Sequence, residues 1–104
     1  MKTHASPQAG AATVLSQLLT EHPEVTGLTW TVDLLGVLHG EVHEEAGDGR
    51  IVDACAEILG GTAAHTILTR AGDRLGLAQL ATTWRDVPVH VWASYPQAPA
   101  GGLR

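Results

Sequence analysis

The sequence contains no phenylalanine, one cysteine and no long apolar run. A single cysteine, Cys55, cannot form a disulfide within the chain, so a packed core has to hold the fold together. No apolar stretch reaches the roughly 20 residues that a membrane-spanning helix needs, and no basic and apolar segment typical of a signal peptide opens the chain. We therefore expect a cytoplasmic protein without a membrane partner.

Basic residues are also scarce: the chain has six Lys and Arg residues and eleven Asp and Glu residues, which gives a formal net charge of -5. The basic residues are scattered from Lys2 to Arg104. Nucleic acids and anionic membranes are bound by clustered Lys and Arg side chains instead. We expect no nucleic-acid partner bound by direct basic contact.

With 104 residues, the chain is long enough for one domain with a core of its own. Residues 1–9 lack apolar periodicity, and residues 96–104 are rich in Pro, Gly and Ala. The composition predicts a flexible N-terminus over residues 1–9, a single α+β domain over residues 10–95 and a disordered tail over residues 96–104.

A β-hairpin is predicted between Gly27 and His43, where apolar and polar residues alternate with the period of a half-buried strand. A three-residue loop over residues 34–36 pairs residues of like character across the hairpin and places Trp30 opposite Gly40. Gly36 occupies the left-handed position that closes such a loop. The remaining elements can be arranged around this hairpin.

Two amphipathic helices flank the hairpin in the chain. The first is predicted over about residues 9–21, and Ser6 and Pro7 suit its N-cap and first helical position. The second is predicted over about residues 48–59, with Asp48 as its N-cap and a pair of glycines after its last turn. Each helix has one apolar face to bury.

Three strands are predicted after the second helix, over residues 64–69, 75–82 and 87–94, with turns at residues 71–73 and 85–86. The resulting order, α-β-β-α-β-β-β, is typical of an α+β fold. We expect one antiparallel sheet with both helices packed on one face. Because Pro88 has no amide hydrogen, the last strand is expected at an edge of the sheet or with its first residues unpaired.

A two-residue turn at Arg85 and Asp86 predicts which side chains of the last two strands share a face. It places Val91 opposite Leu80 on the side covered by the helices. The other side then carries Leu77, Gln79, Ala81, His90, Trp92 and Ser94. This side is too apolar for an ordinary solvated surface, so we predict an interface formed by Leu77, Gln79, His90 and Trp92.

The second strand of the hairpin carries the one pattern suggestive of metal chemistry. His39, Glu41 and His43 occupy alternate positions, so their side chains project from the same face. Two imidazoles and a carboxylate can bind zinc, iron or nickel, and His90 or His65 could add a ligand if the strand order brings it near. The alternative interpretation is a solvated strand face whose residues are simply polar.

Other residues give little indication of catalysis. Cys55 lies on the apolar face of the second helix, which is typical of a buried core residue. No Ser or Thr stands near a recognisable base, and no glycine-rich stretch leads into the Lys-Ser/Thr of a phosphate loop. We therefore expect no cofactor and a non-enzymatic binding module, a homodimer or the partner of another protein. The alternative is a metal-binding protein or metal-dependent enzyme that uses His39, Glu41 and His43.

The chain also resembles known proteins. The segments Leu18-Leu19-x-x-His22-Pro23-Glu24-Val25 and Val87-Pro88-Val89-His90-Val91-Trp92, with the hairpin and an Ala-rich helix between them, resemble a loose group of small uncharacterised α+β proteins of GC-rich actinobacteria and their mobile elements. This similarity covers roughly residues 12–95 and implies no catalytic residues. The element order is similar to that of Roadblock/LC7 domains, a resemblance that implies homodimerisation and service as a platform for small GTPases.

Overall fold

The computed structural model describes residues 6–43 and 49–96. Its elements in chain order are α1 (Pro7–Glu21), β1 (Leu28–Val32), β2 (Leu38–Val42), α2 (Arg50–Leu59), β3 (Ala64–Arg70), β4 (Asp73–Trp84) and β5 (Val87–Pro96). The predicted α+β class is confirmed. Most of the predicted flexible N-terminus and of the predicted disordered tail lies outside the described residues. In residues 6–43 and 49–96, neither helix is long and apolar enough to cross a membrane.

Helix α1 begins where its sequence can satisfy the first free amides. The Ser6 hydroxyl accepts a hydrogen bond from the Ala9 backbone N–H at 3.0 Å, and Pro7 occupies the first turn. The helix therefore starts at Pro7, two residues before the position at which the apolar pattern begins. It ends at Glu21, where the next residue, His22, donates its backbone N–H to Leu18 at 2.9 Å.

Helix α2 is capped differently from the prediction. Its N-cap residue is Gly49, in the left-handed conformation with φ of +74°. The prediction of Asp48 as N-cap is wrong by one position, and Asp48 itself lies outside the described residues. At the other end the helix stops before Gly60 and Gly61, as predicted, but Gly60 has φ of +90° and ψ of 166°, which is not the left-handed helical conformation.

The five strands form one sheet in the order β1-β2-β5-β4-β3. Strands β2 and β5 run parallel, with Leu38 opposite Val89 and Gly40 opposite Val91. The prediction of a purely antiparallel sheet is therefore wrong. The cause is topological: the chain leaves β2, forms α2 and the β3–β4 hairpin, and returns with β5 beside β2. Alternating apolar residues have the same period in parallel and antiparallel strands.

Strand β5 lies in the middle of the sheet, so of the two predicted alternatives the edge position is wrong, whereas the first residues, Val87 and Pro88, are unpaired on the β2 side only. It is paired with β4 from Val87 to Pro96 and with β2 from Val89 to Trp92. Pro88 stands opposite Thr83 of β4, one residue before the pairing with β2 begins. Pro88 has no amide hydrogen to donate, and at its position β2 is not yet paired with β5, so no hydrogen bond between these two strands is lost. From Val89 to Trp92 both sides of β5 are paired, so this part of the strand is not open to a second chain.

The predicted registers of both tight hairpins are confirmed. In the first, Val32 lies opposite Leu38, and Gly36 has a φ of +82°. In the second, Leu80 lies opposite Val91 across the Arg85-Asp86 turn. The remaining turn is shorter than predicted, because Asp73 already pairs with Arg70 and only residues 71 and 72 form the turn.

Helix α1 is tied to the turn between β4 and β5 by Arg85. The Arg85 guanidinium donates hydrogen bonds to both Glu21 carboxylate oxygens, at 2.6 and 2.8 Å, and to the Gln17 side chain at 2.8 Å. These bonds lower the pKa of the Glu21 carboxyl. Arg85 also lies 4.2 Å from the ring centre of Trp84. The Arg85 backbone has a positive φ of 52°, as does Asp86 beside it in the turn, with φ of 67°.

Both helices and the sheet share one core. The buried residues are Ala11, Val14, Leu18, Leu38, Val42, Val52, Cys55, Leu59, Ala78, Leu80, Val87, Val89, Val91, Ala93 and Tyr95. Two aromatic rings fill the space above strand glycines. A β-carbon on Gly40 would lie 3.0 Å from the Trp30 ring, and one on Gly76 would overlap the Tyr95 ring. The predicted placement of Trp30 over Gly40 is confirmed, whereas the Tyr95 pair was missed.

Candidate functional site

The candidate site lies on the side of the sheet opposite the core. It is formed by the residues of β2, β4 and β5 that alternate with the core residues. We call this surface the outward face; its members are His39, Glu41, Leu77, Gln79, Ala81, His90, Trp92 and Ser94. Two rows of paired residues cross it. His39, His90 and Ala81 form one row, and Glu41, Trp92 and Gln79 form the next.

Three rings of the outward face contact one another. His90 stacks on Trp92 with ring centres 5.2 Å apart and planes 21° apart. His39 meets both rings edge-on, at 5.9 Å from His90 and 6.4 Å from Trp92. The Gln79 side-chain oxygen lies 3.4 Å from His90 Nε2. All four side chains are half-buried, so the centre of this face is a small aromatic cluster with a polar margin.

The cluster favours a neutral His90 ring. Burial lowers the pKa of His90, and the neighbouring His39 lowers it further because two imidazolium charges repel each other. A neutral imidazole keeps one donor and one acceptor nitrogen and can lie against apolar surface at lower cost than an imidazolium. The face therefore carries little positive charge from His90 near neutral pH.

Asp33 fixes one side of the cluster and was missed as a site residue. Its Oδ2 lies 2.9 Å from His39 Nε2, and its Oδ1 accepts the backbone N–H groups of Leu35 and Val37 at 2.9 Å each. The one sequence signal is an Asp at the end of a strand before a tight loop, where this residue often bonds to following amides. Asp33 thus couples the loop conformation to the His39 ring.

The interactions of Asp33 should make the free energy of unfolding depend on pH in the acid range. The hydrogen bond from His39, then the bond from the Val37 amide, lowers the pKa of the Asp33 carboxyl. Since the pKa is lower in the folded chain, the stabilisation is complete above the unfolded value of about 3.9 and is lost as the pH falls through the folded value. Urea unfolding between pH 7 and pH 2.5 should show a smaller acid loss in Asp33→Asn than in the parent. Equal losses in the two proteins would contradict this.

Two of the three predicted metal-ligating residues have separate partners. His43 Nε2 lies 2.6 Å from the Thr29 hydroxyl, and His39 is engaged by Asp33. Glu41 lies between them on the strand and is exposed. In residues 6–43 and 49–96, no group of three or more His, Cys, Asp or Glu side chains is arranged to hold a metal ion. Metal binding by His39, Glu41 and His43 stays a prediction.

The two histidines considered as additional ligands lie on different faces. His90 is directly opposite His39 in the parallel pair. His65 pairs with Ala78, which belongs to the core side, and its Nε2 lies 2.9 Å from the Asp53 carboxylate of α2. His65 is thus separated from the outward face by the sheet.

The four predicted interface residues lie together on the outward face. Gln79 is directly opposite Trp92, and Leu77 is opposite Ser94 in the adjacent row. Leu77, like the other three, is half-buried. Their common placement follows from the hairpin register, whereas their nearness to His39 depends on the parallel pairing with β2.

A concavity lies beside α2 and was not predicted from the sequence. It encloses about 270 Å³ and is lined by Glu24, Val25, Thr26, Arg50, Ile51, Ala54, Cys55 and Ile58. Burial raises the pKa of the Cys55 thiol to about 11, so the thiol stays protonated at neutral pH. This agrees with a packing role for Cys55. The concavity forms between segments distant in sequence, so periodicity could not reveal it.

Over residues 6–43 and 49–96, these features define an α+β protein with two helices, a five-stranded mixed sheet and an aromatic cluster on its outward face. Comparison with family models, with curated proteins and with solved structures found no match. The resemblances to the actinobacterial group and to Roadblock/LC7 domains therefore stay predictions.

Proposed function

We propose that the chain is a non-enzymatic binding module that forms a homodimer through its outward face. The observation that carries this proposal is the stacked pair of His90 and Trp92 beside His39 at the middle of the face. Tryptophan is enriched at the centres of protein interfaces, where its ring supplies a large contact area. In the proposed arrangement both helices cover the opposite face of the sheet, so a second chain can reach these rings.

The composition of the face fits contact with an identical surface. Its central side chains are half-buried rings, and its margin has small or polar residues such as Ser94 and Glu41. In a two-fold dimer each residue of the patch meets the same patch on the partner. The amide of Gln79 can donate and accept, so it can pair with its own copy without leaving a buried group unsatisfied. A neutral His90 has the same property.

Trp92→Ala tests the role of the outward face. The substitution removes the largest side chain of the face, so we expect the average mass in solution to fall at micromolar concentration. Size-exclusion chromatography with light scattering measures this mass. Leu35→Ala is the matched control, because Leu35 is 80% exposed at the hairpin loop and lies away from the cluster. An unchanged mass in Trp92→Ala, or a monomeric parent, would overturn the face-mediated dimer.

A further inference from the structure

A second surface suited to contact lies at the end of the sheet. In the part of the chain that the structure describes, β3 pairs with β4 and occupies the last position of the strand order. Its alternate N–H and C=O groups therefore point away from β4, available to another strand. The other end of the sheet is β1, which is two residues shorter and contacts α1.

Strand β3 has few of the features that usually keep an edge from pairing, and its one charged residue is Arg70 at its last position. Residues 64–69, AHTILT, contain no proline and no Lys, Arg, Asp or Glu. Ile67 and Leu68, on opposite faces of the strand, are 49% and 44% exposed. Edge strands are normally protected by charges, prolines, bulges or covering elements, and an uncharged, β-branched edge is prone to pair. Both faces of this edge thus offer apolar surface to a neighbouring strand.

The strand is complementary to itself. An antiparallel copy of β3, related by a two-fold axis through its central residue Ile67, would pair all seven residues. Ile67 would then lie opposite Ile67, Thr66 opposite Leu68, and His65 opposite Thr69. Opposed residues point to the same side in an antiparallel pair, so this register keeps the core sides of both sheets aligned. It would place no like charges directly opposite each other.

We infer that β3 pairs with β3 of a second copy of this chain in this register, which joins two five-stranded sheets into one of ten strands. The contact uses a surface different from the outward face and does not rest on the face-mediated dimer. A chain that uses both surfaces forms assemblies larger than a dimer. Each surface can therefore be removed separately.

Cysteine cross-linking tests the register. In Ile67→Cys the two thiols would lie directly opposite each other, within the Cα separation that a disulfide spans. In Thr69→Cys the two thiols would be about 13 Å apart along the strands, which is too far. Mild oxidation and non-reducing electrophoresis should give at least tenfold more covalent dimer for Ile67→Cys. The parent chain is the negative control: its one cysteine, Cys55, is buried, so we expect it to form no covalent dimer.

Ile67→Lys supplies a second, non-covalent test. Two lysines facing each other at the axis repel, so the dissociation constant of the edge contact should rise at least tenfold in analytical ultracentrifugation. Leu35→Lys is the control, since it adds the same charge at another exposed leucine. Circular dichroism verifies that both variants fold.

The outcomes separate the two surfaces. Cross-linking of Ile67→Cys should persist in the Trp92→Ala background, and the double variant Trp92→Ala with Ile67→Lys should be monomeric. Equal cross-linking at positions 67 and 69, no cross-linking at 67, or an Ile67→Lys variant with unchanged assembly would overturn the edge contact. None of these results depends on the fate of the outward face.

Discussion

Replacing Leu80 by alanine should lower the free energy of unfolding by about 2–5 kcal/mol, the range for leucine truncation in a close-packed core. Leu80 is 0% exposed and lies opposite Val91 at the middle of β4 and β5. Leu18 of α1 and Leu59 of α2 belong to the same core cluster. The substitution would leave a void in this core, and the loss is large because the surrounding backbone is tied into strands.

Urea unfolding followed by circular dichroism measures this loss, and Leu34→Ala is its control. Leu34 is 81% exposed in the hairpin loop, so the same chemical change there should shift stability by less than about 0.5 kcal/mol. Equal shifts at the two leucines would contradict the placement of the core.

Gly40→Ala should destabilise the protein by about 1–3 kcal/mol, because one added methyl group enters occupied space. A β-carbon at this position would lie 3.0 Å from the Trp30 ring and 3.0 Å from a Leu28 methyl group. The ring has to move or the strand has to bend. We therefore expect a change in tryptophan fluorescence together with the loss of stability.

Gly10→Ala is the matched control for this substitution. A β-carbon on Gly10 of α1 would have no neighbour within 4 Å, and the residue is not among those with positive φ. Alanine in a helix is favoured over glycine by about 0.5–1 kcal/mol, so this variant should be more stable than the parent. A Gly40→Ala variant as stable as the parent would contradict the packing of Trp30 on Gly40.

The local parts of the fold could be predicted from the sequence because strand faces alternate with a fixed period. In the first hairpin, a register shifted by one residue would have set Val32 opposite His39, and the observed pair is Val32 with Leu38. In the same way, the two-residue turn at Arg85 and Asp86 determines which side chains of β4 and β5 lie on the same side of the sheet. Gln79 and Trp92 therefore lie directly opposite each other, as the turn predicts, and their role in an interface stays a prediction.

The long-range parts could not be predicted because strand order leaves no periodic signal. Nothing in the alternation of β2 and β5 distinguishes a parallel from an antiparallel pair, and the pairing of His39 with His90 depends on that order. Pro88 indicated an edge strand or unpaired first residues. It fits in a central strand because β2 pairs with β5 only from Val89 onward. Asp33 was missed since its role depends on the distance from its carboxylate to His39.

The central claim is that this chain acts by self-association through the outward face. The most direct measurement is the solution mass of the parent and of Trp92→Ala by light scattering over a micromolar concentration series. We expect a parent that self-associates, a Trp92→Ala variant of lower average mass, and a Leu35→Ala control that matches the parent. A parent that is monomeric throughout, or a variant with the parent's mass, would contradict this claim.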